Sequence, residues 1–84
     1  MTIPKKLKIG AHTFKVRVVP LDKCGELDRE RMTISLDDRL HESQRGATLF
    51  HEIFHGINNE LDHTILDSLA EQLYQVFSDN DLLK

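Results

Sequence analysis

One decapeptide in which a single acid stands among uncharged neighbours governs what this chain can become: Thr48-Leu49-Phe50-His51-Glu52-Ile53-Phe54-His55-Gly56-Ile57. No proline interrupts it, so a helix can run through. On a helix, residues four apart share a face about one turn from each other. His51 and His55 are spaced this way, and two imidazoles so placed can both reach one small cation. Glu52 follows the first histidine directly, where a carboxylate can act on a water held by that cation. At about 100° per residue, Ala47, Phe50, Ile53, Phe54 and Ile57 form one apolar arc, with the histidines beside it and Glu52 further round. The helix is therefore expected to be covered on one side and open on the histidine side. The pattern points to zinc and to hydrolysis, with peptide bonds as the expected target.

The chain has 84 residues and a net charge of −3. That length is expected to form one small domain, residues 1–84, with a modest core that a bound metal would stabilise by linkage. Charges of both signs run along the chain without a Lys/Arg block, so nucleic acid is not an expected partner. The lone Cys24 excludes an internal disulfide and fits a reducing compartment. The segment Met1 to Lys8 has no apolar core of a secretory signal, and no apolar run approaches membrane-spanning length. A soluble, cytoplasmic protein without membrane partners is expected.

Taken in order, Lys5 to Pro20 alternates with a period of two and reads as a hairpin turning at Gly10-Ala11. Gly25 to Asp28 and Arg31 to Leu36 read as a second hairpin about Asp28-Arg29-Glu30. A first helix is expected from Leu40 to about Glu60, with Ser43 as the N-cap if it starts late. Gly46 and Gly56 lower its intrinsic helicity and would let neighbours approach. A short connection at Leu61-Asp62-His63 leads to a last helix from Thr64 to about Ser78, and Leu82-Leu83-Lys84 is a tail. The expected fold is α+β: a small antiparallel sheet of two hairpins, then the histidine helix and a C-terminal helix packed antiparallel to it.

Two histidines leave a catalytic zinc one protein ligand short. His63, Asp67 and Glu71 lie four apart along one ridge of the last helix. Folding the pair of helices about residue 61 brings Asp67 to Ala70 beside His51 to His55. Asp67 is the preferred third ligand, with His63 and Glu71 as alternatives; Glu71 could instead orient a histidine N–H. Asp67 also fits a capping box opened by Thr64. Glu60 and Asp62 read as solvated acids of the turn, and His12 and His41 as exposed.

The run Thr48 to Ile57 resembles the extended zincin pattern, and Asp67-Ser68-Leu69-Ala70-Glu71 is similar to the second acidic element of the gluzincin metallopeptidases. The whole chain resembles small phage- and prophage-associated metallopeptidase-like proteins. The resemblance implies His51, His55 and Asp67 as zinc ligands, Glu52 as general base and Glu71 as support for a histidine. It departs from the gluzincin pattern in having Asp rather than Glu at 67, at a tight spacing from His55. It also implies an edge strand that holds an extended peptide, here Met32 to Leu36, and a residue that stabilises the oxyanion, for which Tyr74 is the nearest candidate although it fits a core aromatic better.

The expected chemistry is amide hydrolysis of a peptide or protein substrate, Glu52 taking a proton from water and passing it to the leaving amine. Two other classes compete. One is a non-catalytic, zinc-stabilised binding module, which needs the ligands but not Glu52. The other, resting on family likeness alone, is a regulatory partner from a mobile element.

Overall fold

The computed structural model describes residues 2–82. Strands β1 (Lys6–Ile9) and β2 (His12–Val19) form the first hairpin, and β3 (Gly25–Asp28) and β4 (Thr33–Asp37) the second. Helices α1 (Glu42–Ile57) and α2 (His63–Asp79) follow. The α+β architecture and both hairpins are as the alternation predicts, but the sheet is mixed rather than antiparallel. Its order is β1-β2-β4-β3, and β2 runs parallel to β4, with Val16 opposite Ile34 and Val18 opposite Leu36. The physical reason lies in β4: Ile34, Ser35, Leu36 and Asp37 are all buried, which suits an interior strand. β3 is left at the edge.

One face of the sheet carries Leu7, Phe14, Val16, Leu27, Ile34 and Leu36. Phe14, Ile34, Leu36 and Leu49 of α1 are the buried centre of the core, with Ile3, Ile9, Met32 and Ile53 packed around them. Among the described residues, α1 touches β1, β3 and β4, whereas α2 touches only α1. The layers are therefore sheet, α1, α2, and α1 is covered on two sides. This explains why Glu52, expected further round from the apolar arc, is buried.

The helix ends differ from expectation in detail. α1 begins at Glu42 with His41 as its cap residue, whose backbone N–H donates to Gln44 Oε1 at 3.1 Å; Ser43 lies inside the helix. α2 begins one residue early because the Asp62 carboxylate accepts from the backbone N–H groups of Thr64 and Ile65. Asp62 is thus an N-cap rather than a merely solvated acid, and it places His63 on the first turn. Gly46 is where the helices close up: a Cβ there would lie 2.1 Å from Tyr74 Cε1. The expected tail residues Leu83 and Lys84 lie outside the described residues.

Candidate metal centre

The antiparallel pairing of α1 and α2 brings His63 to His55 and Asp67 to His51. Ring centroids are 4.7 Å apart for His51 and His55, 4.8 Å for His55 and His63, and 5.7 Å for His51 and His63. One ring nitrogen from each of the three lies within 4.8 Å of the others, and this is the three-residue group among the described residues able to hold a metal ion. His51 and His55 are half-buried at the margin of α1; His63 is exposed.

Asp67 is placed beside the cluster, but its Oδ1 is 2.8 Å from His51 Nδ1. A carboxylate in that position fixes the ring and leaves Nε2 for other work. Glu71 lies one turn further along α2, on the cleft wall with Ala47 and Thr48, and no histidine contact of it is found among the described residues. Of the two acids, the one whose carboxylate contacts a histidine is thus Asp67, and the tight turn between the helices brings His63 level with His55.

Fit to a cation can be judged from these groups. Tetrahedral ligation at ~2.1 Å separates donor atoms by ~3.4 Å, so three nitrogens within 4.8 Å of one another need only small ring rotations to close on an ion. His55 Nδ1 is buried with no hydrogen-bond partner, an isolated polar atom of the kind that calls for an explanation. Burial, and then the neighbouring His51 and His63 imidazoles and Arg29, hold the His55 pKa below its ordinary value. That keeps His55 neutral near pH 7, the form that ligates metals. The donor set suits zinc.

Glu52 opens on the same cleft from α1. It is 5% exposed, and burial pushes its carboxyl pKa up to about 7, with Lys23 opposing and Glu26 reinforcing the shift. The opposite wall comes from the start of β3. A Cβ on Gly25 would lie 2.6 Å from Thr48 Cγ2 and 3.2 Å from Glu52 Oε2, so only glycine lets the strand pass this close. Lys23, Glu26 and Leu27 line the cleft on the side of His55 and His63, while Cys24, Gly25, Asp67 and Ala70 line it on the side of His51.

Sequence reasoning reads Gly25 to Asp28 as a strand of the second hairpin but does not place it against α1 as this wall. The glycine immediately before the alternating Glu-Leu-Asp was the available signal of close approach. The strand named as a peptide-binding edge, Met32 to Leu36, is interior, hydrogen-bonded to β2 and β3 on its two sides. Met32 itself lies in the turn, with φ of 53°. The free edge along the cleft belongs to β3. Tyr74 is buried in the seam between the helices, its ring edge-on to Phe50 at 6.0 Å, and serves the core. His12 and His41 are exposed.

No family model matches this chain, and no curated protein or solved structure matches it significantly.

Proposed function

We propose that this chain is a zinc-dependent hydrolase of peptide bonds, with His51, His55 and His63 as ligands and Glu52 as general base. The observation that carries the reading is the convergence of three imidazoles beside a buried carboxyl that holds its proton near neutrality. The resemblance of Thr48 to Ile57 to the zincins supports the same chemistry. A bound zinc would supply an acidified water and a positive charge facing the substrate carbonyl. The remaining work falls to the chain. Asp67 holds His51 through Nδ1 and keeps its ring aimed at the centre. Glu52 accepts the proton of the attacking water and delivers it to the departing amine, for which a proton affinity near neutrality is suited. The free edge of β3 lies where an extended peptide can pair its backbone across the cleft.

The test is elemental analysis combined with cleavage of an unstructured protein such as casein. Wild-type protein should hold one zinc per chain and cleave. His63→Ala should lose the metal, whereas Glu71→Ala should keep it. Glu52→Gln should keep the metal and lose cleavage. If Asp67→Ala loses zinc while His63→Ala retains it, the ligand set is the one suggested by the gluzincin resemblance. A wild-type protein that holds zinc and cleaves nothing would favour the non-catalytic module.

A further inference from the structure

The face of the sheet turned away from α1 is covered by no described element, since α1 packs on one side and α2 reaches only α1. Charge is distributed on it unevenly. Residues 1–21 contain five of the 11 Lys and Arg residues and none of the 14 acids: Lys5, Lys6, Lys8, Lys15 and Arg17. Apart from the adjacent Lys5 and Lys6, these cations alternate with apolar residues and form no long block in the sequence. The strand register collects them. Lys6 is opposite Lys15 and Lys8 opposite Thr13, so the three lysines share the uncovered face, and Arg17 follows Lys15 along β2. All five cations are exposed. Arg17 is anchored by Ser35 Oγ, 2.9 Å from Nη2; no acidic partner is found for any of the five among the described residues.

The hydrogen-bond phase sharpens this. Lys15 N–H donates to Met32 O, toward β4, and Val16 N–H donates to Lys5 O, toward β1. Alternation along an antiparallel ladder then makes Lys6 and Lys15 a non-hydrogen-bonded pair, the type in which side chains are closest. Like charges directly opposite each other destabilise a sheet. The same phase turns the backbone N–H and C=O groups of Lys6 and Lys8 outward, to the free edge of β1. Lysines on an edge strand do guard against aggregation. That role accounts for Lys6 and Lys8 but not for Lys15 and Arg17, which stand on the interior strand β2.

We infer that the β1 edge and its basic face are a docking site for an extended acidic polypeptide segment, added as a fifth strand. Its backbone pairs with Lys6 and Lys8. Carboxylates at alternate positions meet the lysine row, and the apolar positions between them extend the half-buried Leu7 and Ile9. A protein segment suits the face better than a nucleic-acid strand: no aromatic side chain is available there for base stacking among the described residues, and Asp28 of β3 stands on the same face by register, where it would repel a long polyanion. The site lies at the sheet edge opposite β3 and does not depend on the metal centre.

The test uses a fluorescein-labelled peptide of alternating glutamate and valine, measured by anisotropy, with amide chemical shifts locating it. The peptide should bind, shift the Lys6 and Lys8 amides, and weaken as salt is added. Alternate N-methylation of the peptide should abolish binding. Lys6→Glu should weaken binding at least about tenfold, while raising the melting temperature because it replaces a repelling cross-strand pair by an attracting one. Far-UV circular dichroism of that variant reports that it is folded. The inference is overturned if the peptide fails to bind, if Lys6→Glu binds it unchanged or melts lower, or if a single-stranded oligonucleotide or phosphatidylserine vesicles compete more strongly than the peptide for the same lysines.

Discussion

Glu52 carries a carboxyl group where its anion is poorly solvated, and this has consequences with and without metal. Its folded pKa, about 7, lies above the ordinary 4.5. A carboxyl raised in this way favours folding while protonated. Its contribution is fully present below about pH 4.5 and is lost as pH rises through about 7. Metal-free wild-type protein should therefore lose up to about 3 kcal/mol across that window. Glu52→Gln should flatten that slope and be the more stable protein at pH 8, as measured by urea denaturation in the presence of a chelator. With zinc the same variant should retain metal, yet lose cleavage by a factor of at least about 100. At Asp67 the expectation is graded. Asp67→Asn should weaken zinc binding about 10- to 100-fold, the usual effect of removing a carboxylate behind a ligating histidine. His63→Ala should weaken it more. Equal losses in a competition titration would mean that both side chains bind the ion directly. The pentad was legible from spacing alone because i and i+4 meet on any helix. Which of His63 and Asp67 stands level with His55 was not, because both lie on one ridge and only the tightness of the turn separates them.

Between elements, the seam of α1 and α2 sets how near the two sides of the site can come. Gly46 lies directly under the Tyr74 ring, one turn and more from His51. Gly46→Ala should cost about 1–3 kcal/mol through overpacking, despite the better helix propensity of alanine. It should also weaken zinc binding by moving His63 away from His55. Tyr74→Leu should relieve much of the clash in the double variant, and thermal melts of the four proteins would show the coupling. A Gly46→Ala protein as stable as wild type would mean that the seam has slack. Edge and interior strands were harder to read. A period of two identifies β2, β3 and β4 as strands, but a hairpin specifies only its own pairing. Which strand of the second hairpin docks on the first depends on burial of β4 from both faces, and the sequence there, Thr33-Ile34-Ser35-Leu36-Asp37, alternates as though one face were wet. Ser35 and Asp37 are buried instead because Arg17 and Arg39 lie against them.

At the scale of the whole molecule, stability should respond to metal and to acid through different groups. With the proposed ligands, zinc would bind only the folded arrangement of three histidines drawn from two helices. An excess of about a thousand times its dissociation constant should add about 4 kcal/mol. The melting temperature should rise with zinc and fall with chelator in wild type, but not in a His51→Ala/His55→Ala variant. On the acid side, Arg39, through its hydrogen bonds at 3.2 Å, holds the Asp37 carboxyl below its ordinary pKa, aided by the backbone N–H groups of Leu21 and Arg39. A depressed carboxyl stabilises the fold above its unfolded pKa of about 3.8, and that stability is lost as pH falls from there through the lower folded value. Asp37→Asn should remove this part of the acid limb, as followed by circular dichroism during acid titration.

By itself the sequence determined the parts governed by local periodicity: two hairpins, two helices, a histidine pair one helical turn apart and a carboxylate next to it. Backbone geometry repeats every two or 3.6 residues, so these features need no knowledge of distant contacts. Tertiary structure alone decided which strands became interior, which acid faced a histidine, and that Lys6, Lys8, Lys15 and Arg17 share one bare face. Each of those depends on register or on the tightness of a turn, and a shift of one residue reverses the face a strand side chain occupies. The burial of Glu52 belongs to the same group: it follows from α1 being enclosed between the sheet and α2, a relation among three elements that no window of the chain contains.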